Sequence, residues 1–296
     1  MNALPVAVLI PTIGRADRLR VCLQSLAECK PPPAEVVVVD QSRGGVVARV
    51  VGEVPRLDTT VIRCEGRGVS RALNVGLQAA AHEIALVTHD DCSVAPSWVS
   101  EGFDAMSSNP ASIVTGRVMA AGDPRMVPST KDDPEPHDYT GELQCGALFP
   151  NNMVLERSTV LAFGGFDERF ETEEPAEDND FCYRWLRQGR QLLYRPDLVV
   201  WHHDWRSREE LERLYVSYWR GQGVFYAKHL RLGDLTVLRF IARDVRDALR
   251  AFASRAIRGR PRWSDPRRGL LRGLPAGLVS GWRRFEPGSG PRRGST

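Results

Sequence analysis

Two short apolar runs, Val6–Ile10 and Val36–Val39, enclose a segment in which Leu19, Cys22, Leu23 and Leu26 recur at helical spacing. The unit repeats along the chain. Further strands are expected at Val61–Ile62, Ile84–Val87, Ile113–Thr115, and Leu192–Tyr194 with Leu198–His202, and Ala72–Ala81 carries helical spacing after the third of them. Strand and helix in alternation predict a largely parallel α/β sheet with helices covering both faces. With 296 residues and 42% apolar content, the chain has enough material to bury that core.

In such sheets ligands collect beyond the carboxyl ends of the strands. Asp40 ends the second apolar run, and His89-Asp90-Asp91 ends the fourth. Clustered carboxylates at strand ends can share a hard cation, which offsets their repulsion and holds a pyrophosphate. Because neighbouring side chains of an extended segment point to opposite faces, Asp90 and Asp91 are not expected to act as a pair. Gly66-Arg67-Gly68 precedes a helix, but Arg71 stands where a dinucleotide-binding turn needs its third glycine. Neither a Walker lysine loop nor a G-x-S-x-G elbow is present. The six cysteines (22, 29, 64, 92, 145 and 182) lack metal or disulfide spacing and read as buried thiols of a reducing cytoplasm. The opening residues lack the basic and apolar regions of a signal peptide, and no apolar stretch approaches the roughly 20 residues of a membrane span.

Charge divides the chain. From Lys228 onward there are 17 Lys and Arg against 5 Asp and Glu, a net +12, while residues 1–227 carry 23 against 32, a net −9. An acidic body that takes phosphorylated ligands usually does so through a divalent metal, and a basic end attracts anionic lipid or nucleic acid.

Several motifs occur in a fixed order: Val6-Ala-Val-Leu-Ile-Pro-Thr12, Val36-Val-Val-Val-Asp40, Gly68-Val-Ser-Arg-Ala-Leu-Asn74-Val-Gly76, His89-Asp-Asp-Cys92, Gly164-Gly-Phe-Asp167 and Glu177-Asp-Asn-Asp180. Together, over roughly residues 4–230, they resemble a family 2 glycosyltransferase with the GT-A fold. The resemblance implies inverting transfer of a hexosyl or deoxyhexosyl group from a nucleotide-diphosphate-sugar to an acceptor hydroxyl. Thr12 and Asp40 would contact the donor nucleotide, with Asp40 accepting a hydrogen bond from the base, and Arg71 and Asn74 would flank it. Asp91 matches the last acid of the family's DxD motif and would ligate Mn²⁺ or Mg²⁺. His89 replaces the first acid and would ligate the metal or touch the ribose, with Asp90 beside it on the donor.

Glu177-Asp178-Asn179-Asp180 opens a helix with Phe181, Trp185 and Leu186 inward and Gly189 as its stop. Acids in a first turn are ordinarily explained by the helix dipole and capping. In this ordered context the resemblance assigns Asp178 as the base that removes the acceptor proton. Glu177 would position it, and Asp180 would cap the helix or meet the acceptor. His202, after the last strand, would reach the metal or the pyrophosphate, whereas His203 is structural. Asn151 and Asn152 read equally as ligand contacts or as a turn.

The expected domains are a catalytic body over 1–228, a basic amphipathic helical extension over 229–286 and a disordered tail over 287–296. In the extension, Leu238, Ile241, Val245, Leu249 and Phe252 share one helical face, with Arg239, Arg243, Arg246 and Arg250 on another. Leu270 to Phe285 adds a second apolar and basic segment, which Pro275 and Gly277 are expected to interrupt. The extension either packs its apolar faces on the body or rests on an anionic membrane. The second reading places the protein at the cytoplasmic face of the plasma membrane, with an acceptor glycan or lipid-linked saccharide of cell-envelope assembly. Rival readings are a sugar nucleotidyltransferase, which Thr12-Ile-Gly-Arg-Ala16 matches poorly, and an impaired sugar- or nucleic-acid-binding relative. For nucleic acid, interleaved aromatic stacking positions are missing.

Overall fold

A computed structural model describes residues 2–141, 146–170, 173–203, 206–258 and 269–286. The chain divides into two compact units: Met1–Asp167 with Asp178–Asp204, and Glu168–Glu177 with Trp205–Thr296. The boundary expected at residue 228 lies inside a helix of the second unit, and the tail expected at 287–296 lies outside the described residues.

The first unit is a nine-stranded mixed sheet flanked by helices. Its strands are β1 (Leu4–Thr12), β2 (Pro33–Asp40), β3 (Thr59–Arg63), β4 (Ile84–Thr88), β5 (Cys92–Val94), β6 (Ile113–Ala121), β7 (His137–Tyr139), β8 (Asn152–Glu156) and β9 (Leu192–His203). They run in the order β3-β2-β1-β4-β8-β6-β9-β5, with β7 paired to β9. Parallel pairing joins β3, β2, β1 and β4 without interruption. Beyond β4 the sheet is mixed, because β8 enters antiparallel to both β4 and β6.

The parallel strands are apolar on both faces because helices cover both. Seven consecutive residues of β1, from Val6 to Thr12, are buried. Helix α1 (Ala16–Ala27) buries Leu19, Cys22, Leu23 and Leu26 as expected. Three more helices follow as α2 (Val46–Gly52), α3 (Val69–Ala79) and α4 (Trp98–Ser108), then α5 (Arg157–Ala162) and α6 (Glu177–Arg187). In α6 the inward Phe181, Trp185 and Leu186 are buried, and the stop at Gly189 has a φ of 72°. The two apolar runs expected near residue 200 form one strand: a register shift between Gly116 and Arg117 of β6 absorbs the residues around Pro196.

The second unit is helical, built from α7 (Arg208–Arg231), α8 (Val237–Arg258) and α9 (Leu270–Arg284). All residues of α7 from Gly221 to His229 are buried. Helix α9 is continuous through Pro275, contrary to the expected interruption. Gly269, which precedes its first turn, and Gly273, Gly277 and Gly281 within it recur every fourth residue and so share one face. A Cβ at Gly277 would lie 1.9 Å from the Arg220 carbonyl oxygen, so only glycine permits this approach of α9 to α7. The close backbone packing outweighs the cost of an interior proline, about 3 kcal/mol. Glu174, buried in this unit, accepts hydrogen bonds from Arg220, Ser280 and Arg284.

Candidate active site

Strand direction sets the place of the site. The chain leaves β1, β2, β4 and β9 at the same edge of the sheet, because β8 reverses direction between β4 and β6 while β6 and β9 are parallel. Thr12 and Asp40 are register partners at the ends of β1 and β2. Cys92, just after Asp91, is the register partner of His202 across β5 and β9, which brings Asp91 to His202.

Residues 89–92 form a tight turn closed by a hydrogen bond from Cys92 N–H to the His89 carbonyl, 3.1 Å. The turn overturns the expectation that Asp90 and Asp91 diverge: backbone reversal, not strand alternation, sets their directions, and both carboxylates meet Arg15. The Arg15 guanidinium forks onto Asp90 through Nε and Nη2, and its Nη1 lies 3.1 Å from Asp91 Oδ2. Thr12 Oγ1 donates to Asp90 Oδ2 at 2.6 Å and accepts from Gly14 N–H at 3.0 Å. Gly14 has a φ of 89°, and a Cβ there would sit 2.5 Å from Ser42 Cβ, so the turn that delivers Arg15 requires glycine.

Sequence reasoning missed Arg15. The available signal was electrostatic: two adjacent acids entering a buried strand end need a cation, and Arg15 is the first one after β1.

His202 Nδ1 donates to the Pro128 carbonyl at 2.9 Å, and Nε2 lies 3.6 Å from Asp91 Oδ2, where it donates to the carboxylate when it carries a proton and offers a lone pair to a cation when it does not. Burial alone would raise the Asp91 carboxyl, but the His202 contact and the nearby Arg15 and His89 hold it well below the ordinary range. Asp90 goes the other way: its burial outweighs the Arg15 and Thr12 hydrogen bonds and raises it. Among the described residues, Asp91, Cys92 and His202 bring potential ligand atoms within 4.8 Å of one another. Burial pushes the Cys92 thiol well up, so it stays protonated. A carboxylate and an imidazole of fixed tautomer fit one divalent ion such as Mn²⁺ or Mg²⁺.

The remaining candidates have separate surroundings. Asp40 accepts from Ser42 N–H at 2.7 Å and pairs with Arg63 at 3.1 Å. Arg71 is exposed on the first turn of α3. Asn74, expected to flank the donor, bonds the Phe166 backbone: Nδ2 donates to its carbonyl and Oδ1 accepts its N–H, both at 2.9 Å. Asn152 is fully buried and bonds to Trp98, Arg117 and Leu198. Asp180 pairs with Arg184, which also donates to the Gly165 carbonyl. A continuous chain of bonds therefore ties α3, the loop at 165–166 and α6. His203 bonds to Ser93 Oγ at 2.9 Å, as a structural histidine would.

Asp178, second in α6, is half-buried and accepts the N–H of Asn179 at 2.7 Å. Desolvation, with no cation to offset it, raises its carboxyl to about 6. Glu177 opens the same helix and is buried.

The sequence pattern of Glycosyl transferase family 2 matches residues 7–187. The chain belongs to this family. Over 219 residues it is 23% identical to a pre-mycofactocin glycosyltransferase of Mycobacterium tuberculosis, covering 69% of this chain and 45% of that one. The chain thus spans less than half the length of this curated relative. Solved structures share its fold. The mannosyltransferase PcManGT from Pyrobaculum calidifontis, in complex with GDP-Man and Mn²⁺, matches with a TM-score of 0.60 at 20% identity, over 95% of this chain and 88% of that one. The S. aureus protein TarS 1-349, in complex with UDP-GlcNAc, matches with a TM-score of 0.58 at 18% identity, over 72% and 66%. These likenesses establish the GT-A fold for this member of the family.

Proposed function

We propose that this family 2 protein transfers a hexosyl or deoxyhexosyl group from a nucleotide-diphosphate-sugar to an acceptor hydroxyl with inversion, Asp178 serving as the general base. The observation that carries the reading is the Asp178 carboxyl: it has no compensating cation among the described residues and titrates at about 6. A base poised near neutral pH is ionised in the cell yet still basic enough to take a hydroxyl proton in the transition state. Its helix is anchored through Asp180, Arg184 and Gly165, so the carboxylate has a defined position.

Asp91 and His202 would hold the divalent cation, which when bound supplies positive charge against the departing diphosphate. Thr12, Asp40 and Arg71 would meet the nucleotide, and Asn74 would act by fixing the 165–166 loop rather than by touching the donor. His89 would line the ribose or the cation, and Glu177 would support the start of α6.

The charged, apolar surface of the helical unit supports a peripheral position on an anionic membrane, at its cytoplasmic face, with a lipid-linked saccharide or glycan acceptor in cell-envelope assembly. No helix among the described residues is long and apolar enough to cross a membrane. At an interface, enzyme and lipid-linked acceptor are concentrated together.

The test is to screen UDP-, GDP- and dTDP-sugars for thermal stabilisation with and without Mn²⁺, then to assay the stabilising donor for nucleoside diphosphate release. Stabilisation and diphosphate release are expected. Pyrophosphate release from a nucleoside triphosphate and a sugar 1-phosphate would instead establish nucleotidyl transfer.

A further inference from the structure

One oxygen of the site has two claimants. Asp91 Oδ2 lies 3.1 Å from Arg15 Nη1 and 3.6 Å from His202 Nε2. A divalent ion bound by that oxygen and that nitrogen would sit about 2 Å from each. The guanidinium NH group on the same oxygen would then stand within a few ångströms of a doubly charged ion, inside a buried site where charges are poorly screened. Both contacts cannot persist unchanged.

Arg15 need not leave the site to resolve this conflict. Its Nε and Nη2 hold Asp90, while only Nη1 reaches Asp91. Asp90 is completely buried and its side chain is bonded to Thr12 as well, so that half of the fork is firmly seated. Arg15 itself keeps 24% of its side chain exposed, which leaves room for a small rotation.

We propose that Arg15 is an exchangeable occupant of Asp91: it neutralises Asp91 in the donor-free protein and yields Oδ2 when a divalent ion binds. The inference rests on the proposed function, since it concerns the ion that reading requires. Electrostatics explains what the exchange accomplishes. Two carboxylates and one guanidinium leave a net charge of −1, too little to attract a divalent ion strongly. A diphosphate brings further negative charge, and the coupling is reciprocal: each of the two ligands raises the affinity for the other. Arg15 thereby makes ion uptake dependent on the anionic ligand and keeps the pair of acids from capturing metal alone.

The experiment measures Mn²⁺ binding to the full chain by electron paramagnetic resonance, without nucleotide-sugar and with or without inorganic pyrophosphate as the probe. Arg15→Gln should bind Mn²⁺ alone about tenfold or more tightly than the wild type, because a neutral amide replaces the competing cation. Pyrophosphate should then tighten Mn²⁺ binding less in the variant than in the wild type. Arg15→Lys, which keeps the charge, should remain close to the wild type. If Arg15→Gln leaves Asp90 uncompensated and fails to fold, Arg15→Gln with Asp90→Asn removes both charges and should still bind Mn²⁺ more tightly than the wild type, though by less than Arg15→Gln would, because it frees Oδ2 without changing the net charge of −1. A folded variant that binds Mn²⁺ no more tightly than the wild type overturns the exchange. Asp91→Asn separates this failure from failure of the functional reading: Mn²⁺ binding that survives Asp91→Asn in every background puts the ion elsewhere and sinks both.

Discussion

The two units treat apolar surface in opposite ways. Among the described residues, the sheet unit exposes two large apolar side chains, Ile13 and Val21, while the helical unit exposes eight, with Leu232, Leu235, Leu249 and Leu271 each between 64% and 71% exposed. In the sheet unit, helices on both faces take up the apolar strands, and the polar groups that remain are gathered at strand ends. In the helical unit, glycines let α7 and α9 meet backbone to backbone, so the pair is held without using all its large side chains. Those side chains face outward beside arginines. The proposed reading places chemistry in the sheet unit and attachment in the helical one, and each proposal can be broken separately.

The largest effect should come from Asp178→Asn. Losing the base should lower kcat about 10²- to 10⁴-fold while thermal stabilisation by donor and Mn²⁺ persists, because the amide keeps the size of the side chain. In the wild type the rate should rise as pH passes through about 6 and level off above it. Stability moves in the opposite sense. The folded state holds the Asp178 proton up to about 6 whereas an unfolded carboxylate loses it near 3.8, so the wild type loses stability as pH rises through that window. The Asn variant should lack both inflections, and near-normal turnover by it would remove Asp178 as the base.

Gly277→Val should act on the other unit. A Cβ at this position would lie 1.9 Å from the Arg220 carbonyl oxygen, which is backbone and cannot swing away. Forced separation of α7 from α9 should cost about 3 kcal/mol, near the upper end for overpacking. Hydrogen exchange should register it in α7 and α9, with β1 and β4 protected as before. Equal loss in both sets would mean that the units do not unfold independently.

A smaller effect is expected from Leu238→Ser with Leu249→Ser, which removes two exposed apolar groups of α8 without touching its buried Val237, Phe240 and Ala248. Sedimentation with phosphatidylglycerol vesicles should weaken about tenfold, as partial burial of two leucines suggests. Added salt should weaken the remainder through screening of the arginines. Vesicle binding equal to that of the wild type would dismiss this face as the attachment surface.

Much of the sheet unit was legible because its forces are local in sequence. Apolar runs with helical spacing between them marked β1 to β4 and α1, and Asp40, Asp91 and His202 stood out as polar residues ending apolar strands. The rest depended on partners distant along the chain. Asn152 looked like a loop residue, yet it begins β8, where Trp98, Arg117 and Leu198 satisfy its amide. Arg15 had no special pattern until the turn at 89–92 brought two acids to it. In the helical unit, Gly277 was expected to interrupt its helix, and Gly221 and Gly223 carried no signal of their own. They are the points where other backbone approaches, a tertiary fact that overrides propensity.

The smallest expected effect separates how the units finish their helices. Helix α7 begins with a capping box: Ser207 Oγ accepts the Glu210 N–H at 3.3 Å, and the Glu210 carboxylate accepts the Ser207 N–H at 2.7 Å. Helix α4 of the sheet unit begins after Ser97, whose side chain makes no such bond. Ser207→Ala should therefore cost about 1 kcal/mol, read as lost hydrogen-exchange protection in the first turns of α7. Ser97→Ala should cost less than about 0.5 kcal/mol, the ordinary range for a surface change that breaks nothing. The capping box also predicts non-additivity. Because Ser207 and Glu210 satisfy each other's backbone, Ser207→Ala with Glu210→Ala should cost less than the sum of the single changes. Equal costs at Ser207 and Ser97 would show that α7, like α4, is held by packing alone, and the contrast between the units would then rest on their surfaces and not on their helix ends.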